Sequence, residues 1–512
     1  MIYSIETETD IERLRLVALT QQAEVRHLLQ RIERLASELK KHGGNQSQLE
    51  MEVKLLQEAI DRRTDEIFGQ SSEKQHNDPE TSDCEANPSK ADNEEKQKQT
   101  GHGRNPQLSL PVVEEIHELD EADMICPKCG KELQEFKNQF EESEEIDVIE
   151  RIYKVVKHKR QKYICQCGDC VETALGPDKL IPGGRYSIDF AIKVAIDKYL
   201  DHLPLDRQVR MMSRNGLEVT SQTLWDQIDA LSKHLLPTYY ALHDYILSHA
   251  VIGADETHWR MLDNRKSKKW WVWAVTVPDA VFYQIHNSRN TNSAAKVLKD
   301  FDGVVVADGY SAYKALQKRE LEYGSAFTLS FCWAHARRKF VKALPAYTQA
   351  QEMIDLIGDL YKVERDVAEE YKDEEESTRL EALLSARQLH SEEIVKKIGR
   401  WCAEQKVLPK SAIGRAIGYI NNHWNGLQKF LDNSEVQIDN NQTERGMRGV
   451  AVGRKNHYGS RSKRGTEVAA IIYSLVESAK LAGINPEKYI KKALVRAIRE
   501  PGTVTLPKDL LD

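Results

Sequence analysis

The sequence predicts a multidomain α+β chain: an N-terminal coiled coil, a small cysteine-bearing module, and an α/β domain interrupted by an all-α insertion. Three observations carry this expectation. Apolar residues repeat in heptads from about Ile11 to Ile67. Five of the eight cysteines crowd between Cys126 and Cys170. Two short apolar runs, residues 251–254 and 304–307, each lead straight into an aspartate. At 512 residues the chain exceeds what one core organises, so several domains are expected.

Within residues 1–73, Val25, Leu28, Ile32, Leu35 and Leu39 step by three and four, and Leu49, Val53, Leu56, Ile60 and Ile67 keep the phase. A seam of this kind makes a coiled coil and so a homo-oligomer. A turn at residues 42–46 would give an antiparallel hairpin instead, and packing on the chain's own core is the third reading. Residues 74–107 are rich in Asp, Glu, Lys, Asn, Ser and Pro, with almost nothing apolar to bury. They are expected to be a disordered linker.

Residues 108–178 hold two C-x-x-C pairs, Cys126/Cys129 and Cys167/Cys170, with Cys165 as an alternative to Cys167. Structural zinc takes four ligands in a tetrahedron, and such pairs supply thiolates two at a time. Clustered cysteines in a cytosolic chain favour metal over disulfides. A zinc-ribbon-like module is expected. Between the pairs, residues 151–163 read as a strand with six Lys or Arg and no acid. That is either a solvated face or a track for phosphates.

Residues 179–249 read as helical. The segment LDRQVRMMSRNGLEVTSQTLWDQI gives a helix, a turn at Asn215-Gly216, and a second helix capped by Thr220 or Ser221. This spacing resembles a helix-turn-helix that reads a major groove, although two helices joined by a glycine turn also pack this way without function.

Residues 250–483 form the α/β domain, followed by a tail at 484–512. Residues 270–277 and 280–286 read as a hairpin turning at Pro278-Asp279, and residues 291–301 as a helix. Gly309 lets the chain turn after Asp308, which the pattern puts at a strand's carboxyl end, where α/β sheets hold ligands. The bland alternative is an aspartate that caps the next helix. Strand with Asp255, hairpin, helix, strand with Asp308: this is the order of a ribonuclease-H-like fold, whose third acid comes from a later helix. Glu444 fits that place. Residues 327–332 read as a further strand, followed by Cys332-x-x-His335 and then Arg337, Arg338 and Lys339. Residues 341–431 read as the charged helical insertion, either spacer or DNA clamp. After Glu444, Arg445, Arg448, Arg454, Lys455, Arg461, Lys463 and Arg464 occur with interleaved glycines and no acid until position 467. Basic side chains on a flexible glycine backbone are expected to follow DNA phosphates.

The segments ADETHWRML, VVADGYSAY, CWAHARRKF and DNNQTERGMRGVAVGRKN resemble the transposases of the insertion-sequence-66 family, bacterial DDE enzymes. IFGQSSEK, CPKCGKEL and IPGG match that layout too, so the resemblance spans almost the whole chain. One departure is Thr257-His258-Trp259, where Thr-Pro-Val is expected. The resemblance implies that Asp255, Asp308 and Glu444 hold Mg²⁺ or Mn²⁺ and that water cuts at the element's ends. The freed 3′-hydroxyl then attacks target DNA. It implies DNA as partner, accessory proteins of the same element, and a structural or DNA-contacting role for the C-x-x-H. The rivals are a nuclease or resolvase on this fold that does not join, and a non-catalytic DNA-binding descendant. A net charge of −7 does not announce a nucleic-acid binder, so basic residues must be segregated locally. Without a long apolar run or signal-peptide features, a cytoplasmic, nucleoid-associated protein without a membrane span is expected.

Overall fold

The computed structural model describes residues 153–164, 171–263, 266–322 and 326–511. The heptad region, the linker and Cys126, Cys129, Cys165, Cys167 and Cys170 lie outside the described residues. Within the described part of the basic strand expected over residues 151–163, only the end is a strand: β1 (Lys162–Ile164) pairs antiparallel with β2 (Val171–Thr173). Residues 153–161 form no strand, and their side chains are mostly exposed. With no second apolar face to bury, a run of lysines has little to pin it in a sheet.

Four helices follow: α1 (Ile188–Tyr199), α2 (Leu205–Arg214), α3 (Ser221–His234) and α4 (Leu236–Leu247). Ser187 caps α1 by accepting from Phe190 N, and Thr220 caps α3 by accepting from Thr223 N. The inner face of α3, Leu224, Ile228 and Leu231, is fully buried.

The sheet has the order β5-β4-β3-β6-β7. A long antiparallel pair, β3 (Val251–Asp263) and β4 (Lys266–Val277), is extended by β5 (Ala280–His286) across the Pro278-Asp279 turn. Helix α5 (Thr291–Leu298) then leads to β6 (Val304–Ala307), parallel to β3, and α6 (Ser311–Leu321) to β7 (Thr328–Phe331), parallel to β6. Lys299 takes a positive φ and ends α5 before Phe301, short of the expected boundary.

One expectation fails here. Asp255 does not end its strand, because β3 continues beside β4 for eight further residues to Asp263. What ends is the parallel ladder: β6 is only four residues long, and its register with β3 stops at Gly253–Val306. Asp255 therefore stands just past the ladder's end, level with the end of β6.

Side chains alternate between the faces of a strand. On β3, Gly253, Asp255 and Thr257 share one face, and Ala254 and Glu256 share the other. The first face meets α12 (Asn441–His457) and the sheet is covered on that side by α13 (Lys463–Leu481). Helix α13 is buried nearly all round, since α1 and α3 pack on its outer side. Its serines also satisfy the edge strand: Ser474 and Ser478 accept from Tyr283 N and Val281 N at 2.8 and 2.9 Å. The second face meets α6, where Tyr313 packs edge-on to Trp273.

After β7, α7 (Trp333–Ala343) is followed by the expected helical insertion: α8 (Ala350–Glu370), α9 (Glu376–Ala386), α10 (Glu392–Glu404) and α11 (Ala412–Leu427). Arg387, 1% exposed, ties this layer to the segment that leads into α12. It forks onto Glu364 and donates to the carbonyls of Phe430, Asn433 and Val436. Such a satisfied buried ion pair holds a particular connection in place. Helix α14 (Pro486–Arg499) follows, and then a single 3-10 turn at Pro507–Leu510.

Candidate active site

Asp308 follows β6 directly. Its Oδ1 accepts Tyr310 N at 2.8 Å, and its carbonyl accepts the Tyr419 hydroxyl at 2.7 Å. The next residue, Gly309, has φ +89°, and a Cβ there would lie 2.6 Å from His423 Nε2. Only glycine makes this turn under the insertion's helix α11. Asp308 does not cap the next helix, whose N-cap Tyr310 has no side-chain cap bond; one of its carboxylate oxygens braces the turn instead.

Glu444 lies in the first turn of α12, and the docking of that turn brings it to Asp255. Asp439 accepts from Asn441 N and Nδ2 at 2.9 and 2.6 Å, which starts the helix. Asn440 donates its amide to the Ala254 carbonyl at 2.9 Å. Thr443 Oγ1 meets Thr276 Oγ1 at 2.7 Å. The approach depends on Gly253, where a Cβ would stand 2.0 Å from Thr443 Oγ1.

Asp255 accepts Glu256 N at 2.7 Å. Burial, then the charges of Glu256, Asp308 and Glu444, push its carboxyl up to about 8. The three acids expected from the sequence are therefore electrostatic neighbours, with Glu256 as a fourth. Burial and then Asp308 push Glu256 up to about 7, against the pull of Arg289 and Tyr313. Burial is the larger cause in both, and the neighbouring carboxylates add to it.

Helix α7 flanks Glu444 on the other side. His335 Nε2 lies 3.5 Å from Glu444 Oε1, and Arg338 Nη2 lies 3.7 Å from Oε2. Burial lowers the His335 pKa, while Glu444 and Asp308 oppose this. Cys332 serves a different neighbour: its buried Sγ accepts Asn440 N at 3.2 Å, and burial pushes its thiol up to about 12. The two residues of the C-x-x-H thus steady α12 at two points. Among the described residues no three His, Cys, Asp or Glu side chains close into a ready-made metal cage. A hard divalent cation needs only one or two carboxylates, with water and substrate phosphate completing its shell. Crowded, under-compensated carboxylates suit that donor chemistry.

The basic run after Glu444 is not a flexible track. It is helix α12 as far as His457, followed by a turn into α13. Two of its glycines are close-packing positions: a Cβ on Gly449 would stand 2.1 Å from Glu477 Oε1, and one on Gly453 1.8 Å from Tyr473 Oη. Gly446, Gly449 and Gly453 step by three and four, which puts them on one helix face. The basic residues divide accordingly. Arg445, Arg448, Lys455, Arg461 and Lys463 are exposed. Arg454 is buried and donates to Thr257 Oγ1 at 3.0 Å and to the His258 carbonyl. Arg464 bonds Asp229 at 2.7 Å and Ser232 at 2.9 Å. On α7, Arg337 is half-buried, Arg338 faces Glu444, and Lys339 lies over the Tyr419 ring at 4.7 Å.

Asp255 on β3, Asp308 just after β6 and Glu444 on α12 are electrostatic neighbours beyond the end of the parallel ladder, with exposed basic residues on α12 and α7; together they describe an α/β domain with acidic groups bordered by positive charge. Residues 183–468 match the family model described as Transposase IS66 family, and residues 123–168 match the zinc-finger binding domain of transposase IS66. The chain belongs to the IS66 transposase family. It is 31% identical over 386 residues to the uncharacterized protein y4jD of Sinorhizobium fredii, covering 72% of this chain and 74% of that one. It is 31% identical over 405 residues to the uncharacterized protein y4qI of the same organism, covering 75% and 72%.

Proposed function

We propose that this chain is the working transposase of an insertion sequence: it cuts DNA at the element's ends and joins the freed 3′-hydroxyl to target DNA. The observation that carries this reading is that the charges of Asp308 and Glu444 both bear on the buried Asp255. The strand order, with β3 central, antiparallel to β4 and parallel to β6, supports a ribonuclease-H-like domain. Two divalent ions held by Asp255, Asp308 and Glu444 would activate the attacking water or hydroxyl and stabilise the leaving oxygen. The chain's own part is positional. His335 and Arg338 hold the two oxygens of Glu444, and Tyr310 N holds one oxygen of Asp308. The test is a strand-transfer assay with labelled element ends in Mg²⁺. Joined products support the reading. Cut ends without joining would favour a nuclease or resolvase, and no reaction a DNA-binding descendant.

DNA phosphates are assigned to the exposed Arg445, Arg448, Lys455, Arg461 and Lys463, with Arg337, Arg338 and Lys339 nearer the acids. Arg454, which is buried, and Arg464, which is tied to Asp229 and Ser232, are left out of this set. Replacing Arg445, Arg448 and Arg461 with Ala is expected to weaken binding to end DNA and to reduce the salt slope by about 0.9 per contact removed. Fluorescence anisotropy across a salt series reads both. An unchanged slope would take the α12 face off the DNA path.

The family match over residues 123–168 supports zinc on the cysteines of that module. About one tightly held zinc per chain is expected on Cys126, Cys129, Cys167 and Cys170, with Cys165 the alternative to Cys167. Cys126→Ser with Cys129→Ser should release it. Freshly purified, unchelated protein without zinc by elemental analysis would end this assignment. Assembly through residues 1–73, help from other proteins of the element and a nucleoid location belong to the same proposal. Among the described residues, no helix is long and apolar enough to cross a membrane.

A further inference from the structure

Glu256 follows Asp255 on β3 but leaves the opposite face, where its side chain is fully buried. Arg289, from the segment between β5 and α5, donates to it through Nε at 2.8 Å and through Nη2. The Tyr313 hydroxyl donates to its other oxygen at 2.8 Å. The Arg289 guanidinium lies over the rings of Trp271, at 4.7 Å, and Tyr310, at 3.8 Å. The Tyr310 hydroxyl donates back to the Arg289 carbonyl at 2.5 Å, and Tyr310 N is the amide that holds Asp308 Oδ1. One arginine thus connects the residue after Asp255 to the residue two beyond Asp308.

We propose that Arg289, locked onto Glu256 and Tyr310, is a positioning residue that fixes the separation of the Asp255 and Asp308 carboxylates and so sets the site's affinity for divalent metal. This rests on the reading of those acids as metal ligands. The two aspartates stand on neighbouring strands, and past Gly253 no parallel ladder joins β3 to β6. The brace supplies the missing cross-link. Its parts suit rigidity: a planar guanidinium forks onto a carboxylate and stacks on aromatic rings, which an ammonium cannot do. Groups behind the ligands orient them and are known to govern metal affinity.

The experiment uses the full chain with Arg289→Lys, Glu256→Gln, the double variant and Tyr313→Phe. Four quantities are read: Mn²⁺ affinity without DNA by calorimetry, the Mg²⁺ concentration for half-maximal end cleavage, affinity for end DNA without metal, and melting temperature. Arg289→Lys is expected to weaken Mn²⁺ binding and raise the Mg²⁺ requirement by about 10- to 100-fold, the usual effect of losing a group behind a ligand. DNA affinity and melting temperature should hold. The double variant should lose less than the sum of the two single variants, because they share one contact. Tyr313→Phe, which keeps the ring and loses one bond, should shift metal affinity in the same direction by less, and it carries the test if Arg289→Lys does not fold. Unchanged metal affinity in Arg289→Lys and Tyr313→Phe would overturn the proposal. So would a loss confined to DNA affinity and its salt slope, which would mark Arg289 as a phosphate contact. Calorimetry needs no turnover, so a wild type that binds Mn²⁺ but does not cut leaves the brace testable and counts only against the transposase reading. A wild type that binds no Mn²⁺ overturns both.

Discussion

Asp255→Asn is expected to abolish cleavage and joining while raising the melting temperature of the metal-free protein at pH 8. The loss of activity should be about a thousandfold or more, since several kcal/mol of charge stabilisation goes with a displaced ion. The gain in stability comes from the same carboxylate. Burial and three neighbouring acids push it up to about 8, against about 3.9 in an unfolded chain. A folded pKa above the unfolded one means that the folded state holds the proton more tightly. Its contribution is full below the unfolded value and is lost as pH rises towards 8. The neutral amide avoids that loss. The difference between variant and wild type should therefore be small near pH 4 and greatest at or above pH 8. Thermal melts in chelator at pH 5 and pH 8 read it, and excess Mg²⁺ should narrow it by stabilising only the wild type. A variant less stable than wild type at pH 8 would contradict the crowding of acids around Asp255.

Much of the sheet was legible in the chain. The strand Ala280–His286 and the strand Val304–Ala307 lie where their apolar runs and bounding Pro, Asp and Gly put them. The end of the Asp255 strand was misjudged because the apolar run stops at Ala254. The alternation that follows, with Trp259 and Met261 buried beside the exposed Arg260, is the period-two signal that extends it. In α12 composition misled where spacing would not have. Gly446, Gly449 and Gly453 read as flexibility when counted, and as one packing face when placed on a helix. Arg454 reads as surface charge because its partners, Thr257 and His258, lie about two hundred positions away. Glu256 and Arg289 were missed for the same reason: their pairing depends on which face of β3 each acid leaves by and on a loop returning over Tyr310. Neither is written in any local pattern.

Glu444 is proposed as the third acid because its rivals are engaged away from Asp255. Asp439 spends both oxygens on Asn441 at the start of α12. Glu467 pairs with Arg464 at 3.3 Å on an outer face. Glu477 is buried beneath Gly449 and bonds Lys480 at 2.8 Å. Glu444 alone among these four stands between His335 and Arg338 and contributes to the charge felt by Asp255. Glu444→Gln keeps the shape and removes the charge, so fold and DNA binding are expected to survive. Mg²⁺-dependent cleavage and joining should fall about a thousandfold, as for the two aspartates. Glu467→Gln should leave both steps near wild type. Asp439→Ala should cost about 1 kcal/mol of stability through the weakened helix start and reduce activity only in proportion to the folded fraction. Single-turnover cleavage of labelled ends, with folding checked by circular dichroism, separates these outcomes. Near-normal cleavage by Glu444→Gln together with its loss in Glu467→Gln or a well-folded Asp439→Asn would move the third acid elsewhere and leave the role of Asp255 and Asp308 to stand.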